Sequence, residues 1–194
     1  MPPYYKPVGM ATYEDRGRIY EDTLYYQVPE VRLVNQMADT VLLNSGLRGK
    51  ILIMNFFFTS CPTVCPEMSR NISVMQKSFK KKIPEYFQFV SVSIDPENDS
   101  VAAIRAYANR YTFDHDKWWF LTGERAEIYR LMKDDLGLIL EGNEAKDLEH
   151  SNKIVLLDAD RHIRGYYNAL DPEELQQCAE DAIFLTMERK KKRK

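Results

Sequence analysis

A chain of 194 residues and 22.8 kDa has the length of one generous domain and can bury a core without metal or disulfide scaffolding. Its 44% hydrophobic and 29% charged content, with 12 Tyr, 9 Phe and 2 Trp, excludes a disordered chain, and 8 Gly without a fixed repeat exclude collagen-like, solenoid and propeller forms. The net charge of −2 hides an asymmetry: Arg189 to Lys194 supply six bases, so residues 1 to 188 hold 21 bases against 29 acids, and so acidic a body lacks the basic face that nucleic acid needs.

Residues 1 to 25 are rich in Pro, Tyr and charge without a period, which predicts an extended or poorly ordered arm. Met1 to Pro7 carries three Pro and two Tyr, which is not a signal peptide, and no run of 18 apolar residues follows, so the chain as written is expected to be soluble. The single domain is expected over residues 26 to 188. Val31 to Val34 and Thr40 to Leu43 read as a short hairpin around the polar turn Asn35 to Asp39. Lys50 to Phe58 is apolar on both faces, as a central strand covered by two layers must be.

Thr59 to Glu67 then leads into a helical pattern through about Lys82, with Met68, Ile72, Met75 and Phe79 on one face. Phe87 to Asp95 is a second buried strand ending at Pro96. Ser100 to Tyr111 is a helix, Trp118 to Leu121 a short strand, and Glu124 to Leu136 a helix closed by Gly137. Lys153 to Leu157 and His162 to Asn168 form a hairpin about Asp158 to Arg161. The last helix starts with Asp171 as N-cap, Pro172 at N1 and Glu174 at N3 of a capping box, and runs to about Glu188. The basic run at 189 to 194 is expected as a tail, a solvated and frayed helix end. Strands alternating with helices, closed by an antiparallel pair, predict one α/β domain of thioredoxin-like architecture, with a mixed, mostly parallel sheet flanked by helices and an N-terminal β-hairpin.

Chemistry concentrates in Cys61-Pro62-Thr63-Val64-Cys65-Pro66, directly after a buried strand and at the mouth of a helix. Each cysteine precedes a proline, so the helix is expected to begin at Pro66 with Cys65 as its N-cap. Free N–H groups and the positive end of the helix dipole favour thiolate over thiol there. Two sulfurs in one loop can hold a soft cation or close into a disulfide. Thioredoxin-type redox sites place two residues between the cysteines and a proline before a later strand. Here three residues intervene, and no proline occurs between Pro96 and Pro172. The slot before the Lys153 strand carries His150, which that fold would bring beside the cysteine loop. Two thiolates and an imidazole suit copper or zinc.

Three blocks together resemble the Sco/SenC family: Phe57 to Pro66 around the cysteines, Val90 to Ser100, and His150 to Asp158. The resemblance covers roughly Pro29 to Met187. It implies a thioredoxin-like protein tethered on the periplasmic or intermembrane-space side of a membrane, binding copper through Cys61, Cys65 and His150. It further implies a role in assembling the dinuclear copper centre of cytochrome c oxidase, with the copper-bearing subunit or another copper chaperone as partner. Residues 1 to 25 do not resemble the family's usual N-terminal anchor, so the localisation is an expectation from the resemblance alone. Asp95 matches the family's Asp-Pro and could influence the site or help ligate oxidised copper, although a turn-forming Asp before Pro96 explains it equally well.

His115 and His162 read as solvent-facing, and Cys178 as a small core residue in the last helix. The leading expectation is a copper-binding assembly factor without turnover. The second is a thiol–disulfide oxidoreductase that reduces partner cysteines before metallation, with Cys61 and Cys65 as its catalytic pair. A thiol peroxidase using Thr59 and Arg70 is the weakest reading.

Overall fold

The computed structural model describes residues 1 to 79, 86 to 112, 114 to 138 and 152 to 192. Among the described residues, nine strands, β1 (Pro7–Asp15), β2 (Arg18–Tyr25), β3 (Arg32–Asn35), β4 (Thr40–Leu42), β5 (Ile51–Phe57), β6 (Phe87–Ser93), β7 (Trp118–Thr122), β8 (Lys153–Leu157) and β9 (Ile163–Asn168), are joined by four α-helices. These are α1 (Val64–Ser78), α2 (Val101–Ala108), α3 (Arg125–Tyr129), which passes into a π-helical turn at Arg130–Asp135, and α4 (Pro172–Lys192). Seven strands form one sheet in the order β4-β3-β7-β6-β5-β8-β9. The central β5, β6 and β7 run parallel, and β3, β4, β8 and β9 add antiparallel neighbours.

The apolar run in β5 works as its sequence requires. Ile51, Ile53 and Phe57 enter the core layer shared with α1, α2 and α4, whereas Leu52, Met54 and Phe56 enter the opposite layer with Ile128, Leu131 and Met132. Strand β8 divides in the same way, Ile154 and Leu156 to one side, Val155 and Leu157 to the other. A strand with both faces covered must be apolar throughout, which is why these elements stand out in the sequence. Gly137 caps the α3 segment with a left-handed φ of 64°, as expected.

The first 25 residues depart from the expected arm. Pro7–Asp15 and Arg18–Tyr25 pair into an antiparallel hairpin closed by Arg16 and Gly17, both at positive φ (51° and 75°). Nearly every residue in it is exposed, so no inside-outside alternation marks it in the sequence. Residues flanking the hairpin attach it to the edge of β9: Tyr5 N–H donates to the Ile163 carbonyl and Val28 N–H to that of Arg161. The α4 start is also only half as expected. Asp171 Oδ1 accepts from the Glu173 N–H at 2.9 Å, but Glu174 turns away from its N-cap and accepts from the Asn168 N–H. Helix α4 continues through Lys192, so most of the expected basic tail is helical.

Candidate dithiol site

Strand β5 delivers the chain to Phe58, whose carbonyl accepts the Cys61 N–H at 3.3 Å, turning the loop above the sheet. Helix α1 then begins earlier than the sequence suggests: Thr63 is its N-cap and Cys65 lies inside the first turn. Pro66 does not prevent this, because a first-turn residue needs no intrahelical N–H acceptor. The free N–H of Cys65 donates instead to Cys61 Sγ at 3.3 Å, so the helix mouth points at the first sulfur. Both thiols are reduced and buried, at 7% and 5% exposure, in the core layer that holds Phe57 and Met68. Burial, reinforced by the Cys61 thiol beside it, pushes Cys65 up to about 12. The expectation of a dipole-stabilised thiolate therefore fails at Cys65 in the free protein, because loss of solvent outweighs the helix end.

Asp99, which no local sequence pattern singles out, braces this loop. It is fully buried, and its carboxylate accepts the Thr59 N–H at 3.1 Å, the Thr59 hydroxyl at 2.5 Å and the Ser93 hydroxyl at 2.5 Å. One carboxylate thus ties the residue before the cysteine loop to the end of β6. Thr59 and Arg70 have no joint role in a peroxidase-like arrangement, since Thr59 is committed to Asp99 and Arg70 is exposed on α1. Asp95 lies at the same end of β6, where Asn98 Nδ2 donates to its two carboxylate oxygens at 2.9 and 3.0 Å.

His150 lies outside the described residues. The described chain nearest to it is Asn152, whose carbonyl accepts the Ala169 N–H, and β8 follows antiparallel to β5 with Ile154 opposite Asn55. Strand β8 therefore starts at the end of β5 from which the cysteine loop departs. The other histidines are half-buried rather than fully solvent-facing as expected. His115 Nδ1 is hydrogen-bonded to Gln36 at 3.2 Å, and His162 packs edge-on against Tyr4. Cys178 is fully buried in α4, and its thiol is raised by burial. Among the described residues, one trio has metal-like spacing, Asp158, Asp160 and His162, at the opposite end of β8. Asp158 there is already bound by the Arg164 guanidinium at 3.1 Å and by the N–H groups of Asp160 and His162.

A mixed sheet with parallel centre, and a dithiol loop between its central strand and the first helix, defines a thioredoxin-like dithiol protein. The sequence pattern of the SCO1/SenC family matches residues 27–182, and the chain belongs to that family. It is 31% identical over 157 residues to the SCO1 protein homolog of Bacillus subtilis, covering 80% of each chain. Among solved structures it superposes on BsSco, described as a member of the Sco family of cytochrome c oxidase assembly proteins with a disulfide switch, at a TM-score of 0.73 and 28% identity, covering 86% of this chain and 96% of that one. The fold is shared with copper-bound ScoI of Bradyrhizobium japonicum at a TM-score of 0.65 and 23% identity, covering 82% and 99%.

Proposed function

We propose that the protein binds one copper ion through Cys61, Cys65 and His150 and delivers it to the dinuclear copper centre of cytochrome c oxidase, directly or through another copper chaperone. The supporting observation is the pairing of two reduced sulfurs at a helix mouth, with the Cys65 N–H already donating to Cys61 Sγ. Soft thiolates in a dry pocket select Cu(I), and the ion displaces the protons that burial otherwise retains. An imidazole arriving ahead of β8 completes a three-coordinate set, and the open fourth position lets the ion leave by ligand exchange. Asp95, whose carboxylate is held by the Asn98 amide, acts as an outer neighbour of the site. Work on the outer face of an energy-transducing membrane, the periplasmic side in a bacterium, follows from the acceptor.

Anaerobic titration of the reduced protein with Cu(I) against a chromophoric competitor tests the reading. One equivalent should bind, and Cys61→Ser, Cys65→Ser or His150→Ala should each weaken retention by at least about tenfold. Undiminished retention in His150→Ala removes the histidine from the site.

The contact between the cysteines also supports a second reading, a thiol–disulfide oxidoreductase acting on partner cysteines before metallation. His150→Ala that reduces a model disulfide at the normal rate while losing copper would assign the two roles to one site.

A further inference from the structure

We infer that the C-terminal end of α4 is a docking face for an anionic phospholipid surface. Helix α4 already buries one stripe, with Cys178, Ala182 and Leu185 in the core. It then exposes a second apolar group that the fold does not use: Ile183 (41% exposed), Phe184 (46%) and Met187 (53%). Spacings of one, three and four residues place these three on one face of the helix. The sequence continues with Arg189-Lys190-Lys191-Lys192-Arg193-Lys194, six bases in succession, and the helix backbone runs to Lys192.

A solvated charge run needs no apolar patch beside it, and exposed Ile, Phe and Met gain nothing from water. An anionic bilayer takes both parts together, the apolar group at the headgroup boundary and the bases among the phosphates. Nucleic acid fits less well, because it offers no place for the apolar group and is repelled by the net charge of −8 in residues 1 to 188. The same charge separation orients the molecule, driving the acidic body away from the surface that attracts its basic end.

The topology gives this docking a direction. Strand β9 ends at Asn168 opposite Lys153, at the end of the sheet where the cysteine loop lies, and the Asn71 side chain of α1 donates to the Ala169 carbonyl there. Helix α4 starts at that end and runs 21 residues back to the opposite one, where Glu188 meets Arg164 and Tyr4. A protein seated by this face holds Cys61 and Cys65 away from the lipid.

Co-sedimentation of the full chain with vesicles tests the inference without copper, so its outcome is separate from that of the metal-binding proposal. Vesicles of equal phosphatidylglycerol and phosphatidylcholine should retain the protein on the order of tenfold more than pure phosphatidylcholine, and 0.5 M NaCl should remove most of the difference. Replacing the six bases by Gln should abolish the enrichment, and the triple variant Ile183→Ser, Phe184→Ser, Met187→Ser should cut it severalfold with unchanged far-UV circular dichroism. Equal retention on both vesicle types, undiminished retention in either variant, or preferential capture by duplex DNA over the anionic vesicles would overturn it.

Discussion

At Cys65 two forces oppose each other. The first turn of α1 favours a thiolate, and the near-complete removal of water favours the thiol. Burial wins, raising the group from its ordinary 9.0 to about 12. A thiol raised by folding stabilises the fold while it is protonated, a contribution that is complete below about pH 9 and is lost as pH climbs toward 12. Absorbance at 240 nm of the reduced protein, compared with Cys65→Ser, should show no Cys65 thiolate step near pH 9; a full step there contradicts the burial argument. Asp99→Asn tests the brace beneath the loop. It removes the charge from an acceptor of three donors, and should cost about 1.5–3 kcal/mol in chemical denaturation. The cysteines were legible because their motif is local. Asp99 was not, because its meaning depends on a contact with Thr59 forty positions earlier in the chain.

Elements differ in legibility for a related reason. Strands β5 and β6 announce themselves because every position is covered, and β8 because all but Lys153 are, whereas β1 and β2 bury almost nothing and are specified mainly by the turn at Arg16 and Gly17. A hairpin with both faces exposed contributes little to stability. The Tyr26 N–H already donates to the Lys6 carbonyl at 2.9 Å, so residues 8 to 24 can be replaced by a two-residue turn. The shortened protein should melt within a few degrees of the parent; a collapse of the transition would show that the hairpin supports the core. Arg161 is the contrasting case. Its buried guanidinium donates to the carbonyls of Leu43, Leu47, Lys50 and Asp158, pinning the segment before β5 to the β8–β9 turn. Arg161→Met should cost about 3 kcal/mol or more, and Arg161→Lys should not restore it, since one ammonium cannot replace a guanidinium fork that serves four carbonyls. Thermal melts of both variants decide this.

For the molecule as a whole, the strand–helix alternation was enough to give the sheet and its layers, and with them the sheet edge where β8 begins. The register that sets β8 against β5 puts Asn152 at that edge, and His150 itself lies outside the described residues. The polarity of the body was only partly legible. Composition showed an acidic body and a basic end, but only the path of α4 shows that this end is remote from the dithiol loop.

Arg164 has one more consequence. Its guanidinium grips the carbonyls of Pro2 and Pro3 on one side and the carboxylate of Glu188 on the other, at 2.8 to 3.4 Å. The beginning and end of the folded body are thereby stitched into one seam. A circular permutant that joins them through a short flexible tether and opens the chain between Arg16 and Gly17 should fold, leaving the sulfur-bearing pole untouched and its two new ends free for labelling.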